Sequence, residues 1–303
     1  MAFTAKDVQT LREMSGVGMM DCKKALTEAD GNMERAAELL REKGLATAAK
    51  KAGRIAAEGI VTAVAADGIG VVVEVNSETD FVSKNENFQN FVKGVAQAIM
   101  TNRPADIEAL GACTYPESDM SVADMLREKV LTIGENLQLR RFVIFEGGVS
   151  VPYVHMGGKI GVLVNLNVEG ISDMDKVVAI GKDVCMQIAA MSPAHLDRSE
   201  VTGDTLEKER EILLAQAIND GKPQQVAEKI VSGRINKYYE ENCLIEQAFV
   251  KENKISVGAY VEREAAAAGG KITVTRFVRM EKGEGLQKKE ENFAEEIAKQ
   301  LEK

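Results

Sequence analysis

The 303-residue chain carries a faint copy of itself. Ile69-Gly70-Val71-Val72-Val73-Glu74-Val75-Asn76 is echoed 91 residues later by Ile160-Gly161-Val162-Leu163-Val164-Asn165-Leu166-Asn167. Ser121-Val122 returns as Ser256-Val257, and Arg141-Phe142-Val143-Ile144-Phe145-Glu146 as Arg276-Phe277-Val278-Arg279-Met280-Glu281, both 135 residues on. The matches keep their order and the last two share an offset, so the core is expected to be two related α+β units. Because the offset grows by 44 residues between Asn167 and Ser256, the second unit is expected to hold an insertion there.

Within the first copy, the β-branched run Val71 to Val75 reads as a buried strand. Asn76, Ser77 and Glu78 end it, and Thr79, Asp80, Phe81 and Val82 lead toward a helix. Ser83 and Glu86 have capping-box spacing. Beyond them Phe88, Phe91, Val92, Val95, Ala96 and Ile99 recur as one buried stripe. A connector anchored at both ends can present side chains rigidly to a partner. Phe81 has two readings: it folds onto its own domain, as most phenylalanines do, or it faces a partner. The second copy continues with Val168-Glu169-Gly170-Ile171-Ser172 and has no Asp-Phe pair. A purely architectural connector would recur in both copies, which favours the partner reading.

A net charge of −9 argues against a broad phosphate-binding surface, so no direct contact with nucleic acid is expected. Lys43, Lys50, Lys51 and Arg54 read as the solvated face of an Ala-rich helix. No apolar run approaches the roughly 20 residues of a membrane helix, and Met1 to Asp7 lacks a signal-peptide core, so a cytoplasmic protein is expected. The cysteines, Cys22, Cys113, Cys185 and Cys243, show no C-x-x-C spacing, and the histidines are His155 and His195. Neither a disulfide framework nor a metal site is expected. There is no phosphate-binding G-x-x-x-x-G-K-[ST], Gly68-Ile69-Gly70 lacks the third glycine of a dinucleotide loop, and no G-x-S-x-G occurs. The acidic pairs Glu290-Glu291 and Glu295-Glu296 read as solvated. With no catalytic set and no cofactor motif, a binding protein is expected rather than an enzyme.

In chain order, residues 1–45 read as three short helices: one capped by Thr4 and Asp7, one over Met19 to Ala29, and one from Asn32 to Lys43 stopped by Gly44. Adjacent Met19 and Met20 point about 100° apart on a helix, so a domain this small can scarcely bury both. Residues 46–58, rich in Ala and Lys, read as a linker helix. The first core subdomain, 59–148, has a hairpin around Asp67-Gly68, the helix after Ser83, an irregular stretch to Asp119, a helix from Ser121 to Ile133 and a strand from Leu139 to Phe145. The second, 149–283, opens with a hairpin around Gly157-Gly158, with His155 near its tip, and then a helix near Asp173 to Met191. An inserted helical hairpin, about 192–240, has an apolar stripe that should pack on its own domain or another subunit. A homodimer through this hairpin is one of those two expectations. Residues 284–303 read as a C-terminal helix with Phe293, Ile297 and Leu301 on one side.

Gly18-Met19-Met20-Asp21-Cys22-Lys23-Lys24-Ala25-Leu26, Glu78-Thr79-Asp80-Phe81-Val82, Ile133-Gly134-Glu135-Asn136, and His155 with Ile160-Gly161-Val162-Leu163-Val164 together resemble the bacterial translation elongation factor Ts family. The resemblance extends over nearly the whole chain. It implies an α+β protein with an N-terminal three-helix ubiquitin-associated-like domain, a duplicated core with antiparallel sheets, a dimerisation hairpin and a C-terminal helical module. It also implies a guanine-nucleotide exchange factor for elongation factor Tu, binding its GDP-bound and nucleotide-free forms. Thr79, Asp80, Phe81 and Val82 would form a nucleotide-release wedge entering beside the partner's magnesium site. Leu11, Met19, Met20 and Lys23 would touch the GTPase domain, and Ile133, Gly134 and His155 would make core contacts. Phe249 and Val250 match the end of a Gln-Pro-Phe-Val motif in which Ala248 here replaces the proline. The alternative is a non-catalytic interaction scaffold with an architectural core. An enzyme using Glu78 and Asp80 as paired carboxylates would need a closed pocket around them.

Overall fold

The computed structural model describes residues 3–287. The N-terminal unit is three helices, α1 (Ala5–Ser15), α2 (Met19–Glu28) and α3 (Met33–Lys51). Thr4 and Asp7 close a reciprocal capping box on α1, as their spacing predicts. Val8, Leu11, Val17, Cys22, Leu26, Ala36 and Leu40 meet in its core. Contrary to expectation, Gly44 does not stop the third helix. It is buried where α3 crosses a later helix, and a Cβ there would lie 3.8 Å from the Arg127 carbonyl and from Leu131. The packing of that crossing offsets the roughly 1 kcal/mol helix cost of glycine. The separate linker helix expected over 46–58 is therefore the end of α3 followed by a turn.

The core is a mixed α+β structure built on two antiparallel sheets. β1 (Glu58–Ala66), β2 (Ile69–Ser77) and β3 (Gln138–Glu146) form one, with β2 central. β4 (Val149–His155), β5 (Ile160–Glu169) and β8 (Lys271–Glu281) form the other, with β5 central. The duplication reaches the backbone: the ladder slips between Glu74 and Val75 in one sheet and between Asn165 and Leu166, 91 residues on, in the other. Each outer face is covered by helices. α5 (Glu86–Asn102) and α7 (Val122–Ile133, capped by Ser121) cover the first, and α8 (Met174–Met191) and α11 (Val257–Ala267, capped by Ser256) cover the second. The inner faces meet through Val61, Ala63, Val72, Leu163 and Met280. Gly70 and its counterpart Gly161 permit that contact, because a Cβ at either would fall 2.6 Å from Ser150 or 2.4 Å from Val61.

A buried carboxylate fastens the units further. Glu74, at the bulge, accepts hydrogen bonds from Arg140 at 2.8 Å, Arg141 at 2.7 Å, Asn76 at 3.0 Å and the Gly283 amide at 2.7 Å. Burial alone would push this carboxyl up, but those donors outweigh it and hold its pKa below the ordinary value.

Five more elements belong to the described chain. α6 (Ile107–Ala112), capped by Asp106, occupies part of the stretch expected to be irregular. The helices α9 (Gly203–Asn219) and α10 (Gln224–Asn242) pack on each other where the extra residues were expected, leaving Ile212, Ile218 and Val226 exposed. The short hairpin β6 (Ala248–Phe249) and β7 (Glu252–Ser256) had no counterpart in the sequence reading. The C-terminal helix expected over 284–303, with Phe293, Ile297 and Leu301, falls almost wholly outside the described residues.

Candidate functional site

The connector between β2 and α5 is not irregular: Asp80–Ser83 forms a single helical turn, α4. The expected Ser83–Glu86 capping box does not form. Ser83 closes α4 instead, its hydroxyl donating to the Asp80 carbonyl at 2.6 Å, and Asn85 caps α5 by accepting from the amides of Asn87 and Phe88. Val82 is buried against the first core and anchors the turn. Phe81 points the other way and is 79% exposed, the highest value among the large apolar side chains of the described residues.

Charge surrounds that ring. Lys84 donates to Asp80 at 2.7 Å, which holds the Asp80 carboxyl below its ordinary pKa, and its ammonium sits 5.9 Å from the Phe81 centroid. Glu78 does not pair with Asp80. Its carboxylate accepts from the Asn136 amide at 2.6 Å and lies 3.4 Å from Arg54. Two carboxylates engaged by separate donors lack the mutual arrangement that paired acid-base chemistry requires.

The structure brings some of the other candidates to this turn and leaves others apart. Ile133 and Gly134 end α7, with Gly134 in the left-handed conformation at φ 85°, and Lys51 of α3 donates to the Gly134 carbonyl. The next residue, Glu135, reaches the turn itself. It accepts from the amides of Glu78 and Thr79, each at 3.0 Å, and from the Thr79 hydroxyl at 2.6 Å. His155 ends β4 with its ring nitrogen 2.9 Å from the Tyr153 hydroxyl. Met156 follows at φ 49° and is 70% exposed. Glu135, Lys84 and Met156 were missed from sequence. Glu135 stood inside a quoted motif, but nothing local disclosed what it would grip.

On the N-terminal unit, Met19 and Met20 are both exposed, which goes beyond the expectation that the domain could not bury both, and Lys23 is exposed beside them. Leu11 differs from expectation: its side chain is wholly buried among Val8, Val17, Cys22 and Leu26, so it supports this surface from beneath. Phe249 differs likewise. Its ring is 2% exposed and stacks on Tyr260 at 4.1 Å, because the β6–β7 hairpin folds it into the second core. Val250 is the exposed member of that pair, and its amide donates to the buried Gln187 at 2.8 Å. Among the described residues, no helix is long and apolar enough to cross a membrane.

Comparison with known proteins adds an independent line. The family described as "Elongation factor TS" matches residues 78–284. The chain is 49% identical over 301 residues to a Syntrophotalea carbinolica protein named elongation factor Ts, covering 98% of this chain and 99% of that one. Proteins of the same name from Clostridium perfringens and Clostridium novyi are 50% identical over 300 residues and 49% over 303, each alignment covering 98% of both chains.

Proposed function

This chain belongs to the elongation factor Ts family, and from that premise we propose that it is a guanine-nucleotide exchange factor which binds elongation factor Tu and promotes GDP release. The wedge is Asp80-Phe81, carried between Thr79 and Val82 and inserted beside the partner's magnesium site. One observation carries this reading: a large apolar ring stands almost fully in water at the tip of a turn that is fixed on both sides. Such a ring has no role in its own core. Covering it removes about 150–250 Å² from water, worth about 4–6 kcal/mol before the costs of association. A hot-spot residue retains on the order of 2–4 kcal/mol of that.

The mechanism is reciprocal coupling. A protein that binds the nucleotide-free partner better than the nucleotide-bound one weakens nucleotide affinity by the same factor. Phe81 would separate the elements that hold metal and phosphate, while Asp80, kept ionised by Lys84, would bring a negative charge to a site built for phosphate. Met19, Met20 and Lys23, supported by Leu11, would dock on the GTPase domain. Ile133, Gly134, His155 and Val250 would form further contacts. The chemistry belongs to the partner, so this chain acts by binding rather than as an enzyme. Work in translation elongation in the cytoplasm, and pairing of two copies through α9 and α10, belong to the same proposal.

The test loads elongation factor Tu with fluorescent GDP and follows the loss of signal after adding the chain. The Phe81→Ala variant should slow release by about 30- to 1,000-fold while melting at an unchanged temperature. Unaltered release with that variant would favour the scaffold reading instead.

A further inference from the structure

The turn that carries Phe81 has too few residues to hold itself. A single helical turn is unstable alone, and Thr79, at its N-cap position, makes no side-chain capping hydrogen bond. Its hydroxyl is directed to Glu135 instead, 56 positions along the chain. The Glu135 carboxylate thus holds three donors of the turn: two consecutive amides and that hydroxyl. The grip is mutual, because Glu78 accepts from the amide of Asn136, the neighbour of Glu135. Two acidic residues on facing loops each bind the other loop's backbone.

The duplication supplies a control. At the offset of 135 that aligns α7 with α11, Gly134 falls on Gly269 and Glu135 on Gly270. Both Gly134 and Gly269 take the left-handed conformation, at φ 85° and φ 89°. At Gly270 a Cβ would lie 2.1 Å from the carbonyl of Glu169. In the second unit the two loops therefore touch backbone to backbone, with no room for a side chain. The copy that lacks an Asp-Phe pair also lacks the carboxylate.

We infer that Glu135 is the positioning residue of the release wedge: its carboxylate fixes the Glu78-Thr79 backbone and so aims Asp80 and Phe81 before the partner arrives. The inference rests on the exchange-factor reading and adds to it a residue that need not touch the partner. Pre-organisation of this kind acts on the distorted state more than on the first encounter. Losing it should lower the limiting rate of release more than the concentration at which release saturates.

The experiment measures fluorescent GDP release from elongation factor Tu across a concentration series, for the native chain and for Glu135→Gln, Glu135→Ala, Phe81→Ala and the Glu135→Ala/Phe81→Ala double variant. Amide hydrogen exchange of each free variant is measured alongside. Glu135→Ala should lower the limiting rate about tenfold with half-saturation shifted less than about threefold, and Glu135→Gln, which keeps one acceptor oxygen, should fall between. The amides of Glu78 and Thr79 should lose protection while those of α5 and α7 keep theirs, which separates lost positioning from lost folding. The double variant should lose less than the product of the two single losses, since Glu135 acts through the turn that carries Asp80 and Phe81. Normal release with Glu135→Ala, or a loss that adds in full to that of Phe81→Ala, would overturn the inference. Normal release with Phe81→Ala itself would instead remove the exchange-factor reading, and this inference with it.

Discussion

Two connectors leave equivalent strands of this molecule and do opposite things. After β5 the chain turns at Gly170, buries Ile171 in the second core, caps α8 with Asp173 and has begun the helix by Met174. After β2 it runs from Glu78 to Asn85 before α5 begins, and it spends a full turn holding Phe81 in solvent. The first connector has eight residues and the second four, because β5 is one residue longer than β2 and its helix begins three residues sooner. At the strand offset, Asp80 corresponds to Ile171. One copy uses this position to close its core and the other to display a charge beside an exposed ring. A scaffold that needs only one such connector for stability leaves its duplicate available for binding.

The strongest way to break this comparison is to exchange the connectors. Replacing Glu78 to Asn85 by the sequence of Gly170 to Asp173 should leave a folded chain, since Asp can cap α5 as Asn85 does. It should slow GDP release from elongation factor Tu more than about 100-fold, read by the same fluorescence assay. A swapped chain that still releases GDP at the native rate would dissolve the functional contrast.

The two bulges give the next test. Glu74 and Asn165 occupy equivalent positions, but only Glu74 is ionisable. Glu74→Gln should cost about 3 kcal/mol in urea unfolding at neutral pH, because two guanidinium groups lose their buried counter-charge. The sign with pH follows from the direction of the shift. A carboxyl held below its ordinary value contributes stability above the unfolded-state pKa, near 4.5, and loses that contribution as pH falls through the folded-state value. The gap between native chain and variant should therefore narrow on acidification from about pH 6 to pH 3. A constant gap would show that folding leaves the Glu74 carboxyl unshifted, and a gap that widens on acidification would show that burial outweighs the donors.

Smaller effects sharpen the contrast. Ile171→Ala should destabilise the chain by about 2–3 kcal/mol in the same unfolding assay, whereas Phe81→Ala should change stability by less than about 0.5 kcal/mol. Asn85→Ala should cost about 1 kcal/mol through loss of the α5 cap, while Ser83→Ala, which lacks the capping role its spacing suggested, should cost less.

Much of this was legible beforehand because it is written locally. The β-branched strands, the Thr4 cap and the helices over Ser121 to Ile133 and near Asp173 to Met191 each depend on a few adjacent residues. That Met19 and Met20 would not both be buried followed from helix geometry. The misreadings share a cause. Gly44 looks like a stop because its local preference is against helix, yet α7 packs on it from a distant part of the chain. Leu11 and Phe249 look like contacts when motifs are matched without knowing which face is buried. Ser83 has the spacing of a cap but its hydroxyl is already engaged one turn back.

By itself the sequence determined that the core is doubled, that one copy alone follows its strand with Thr-Asp-Phe-Val, and that the chain resembles one family throughout. Periodicity, capping and repetition act over a handful of residues and can be read from order alone. Only the tertiary structure decided which apolar side chains face inward, how the sheets close on paired glycines, and that Glu135 holds a turn 56 residues away. Those outcomes depend on donors and acceptors brought together by folding, and a contact between remote positions leaves no period in the sequence.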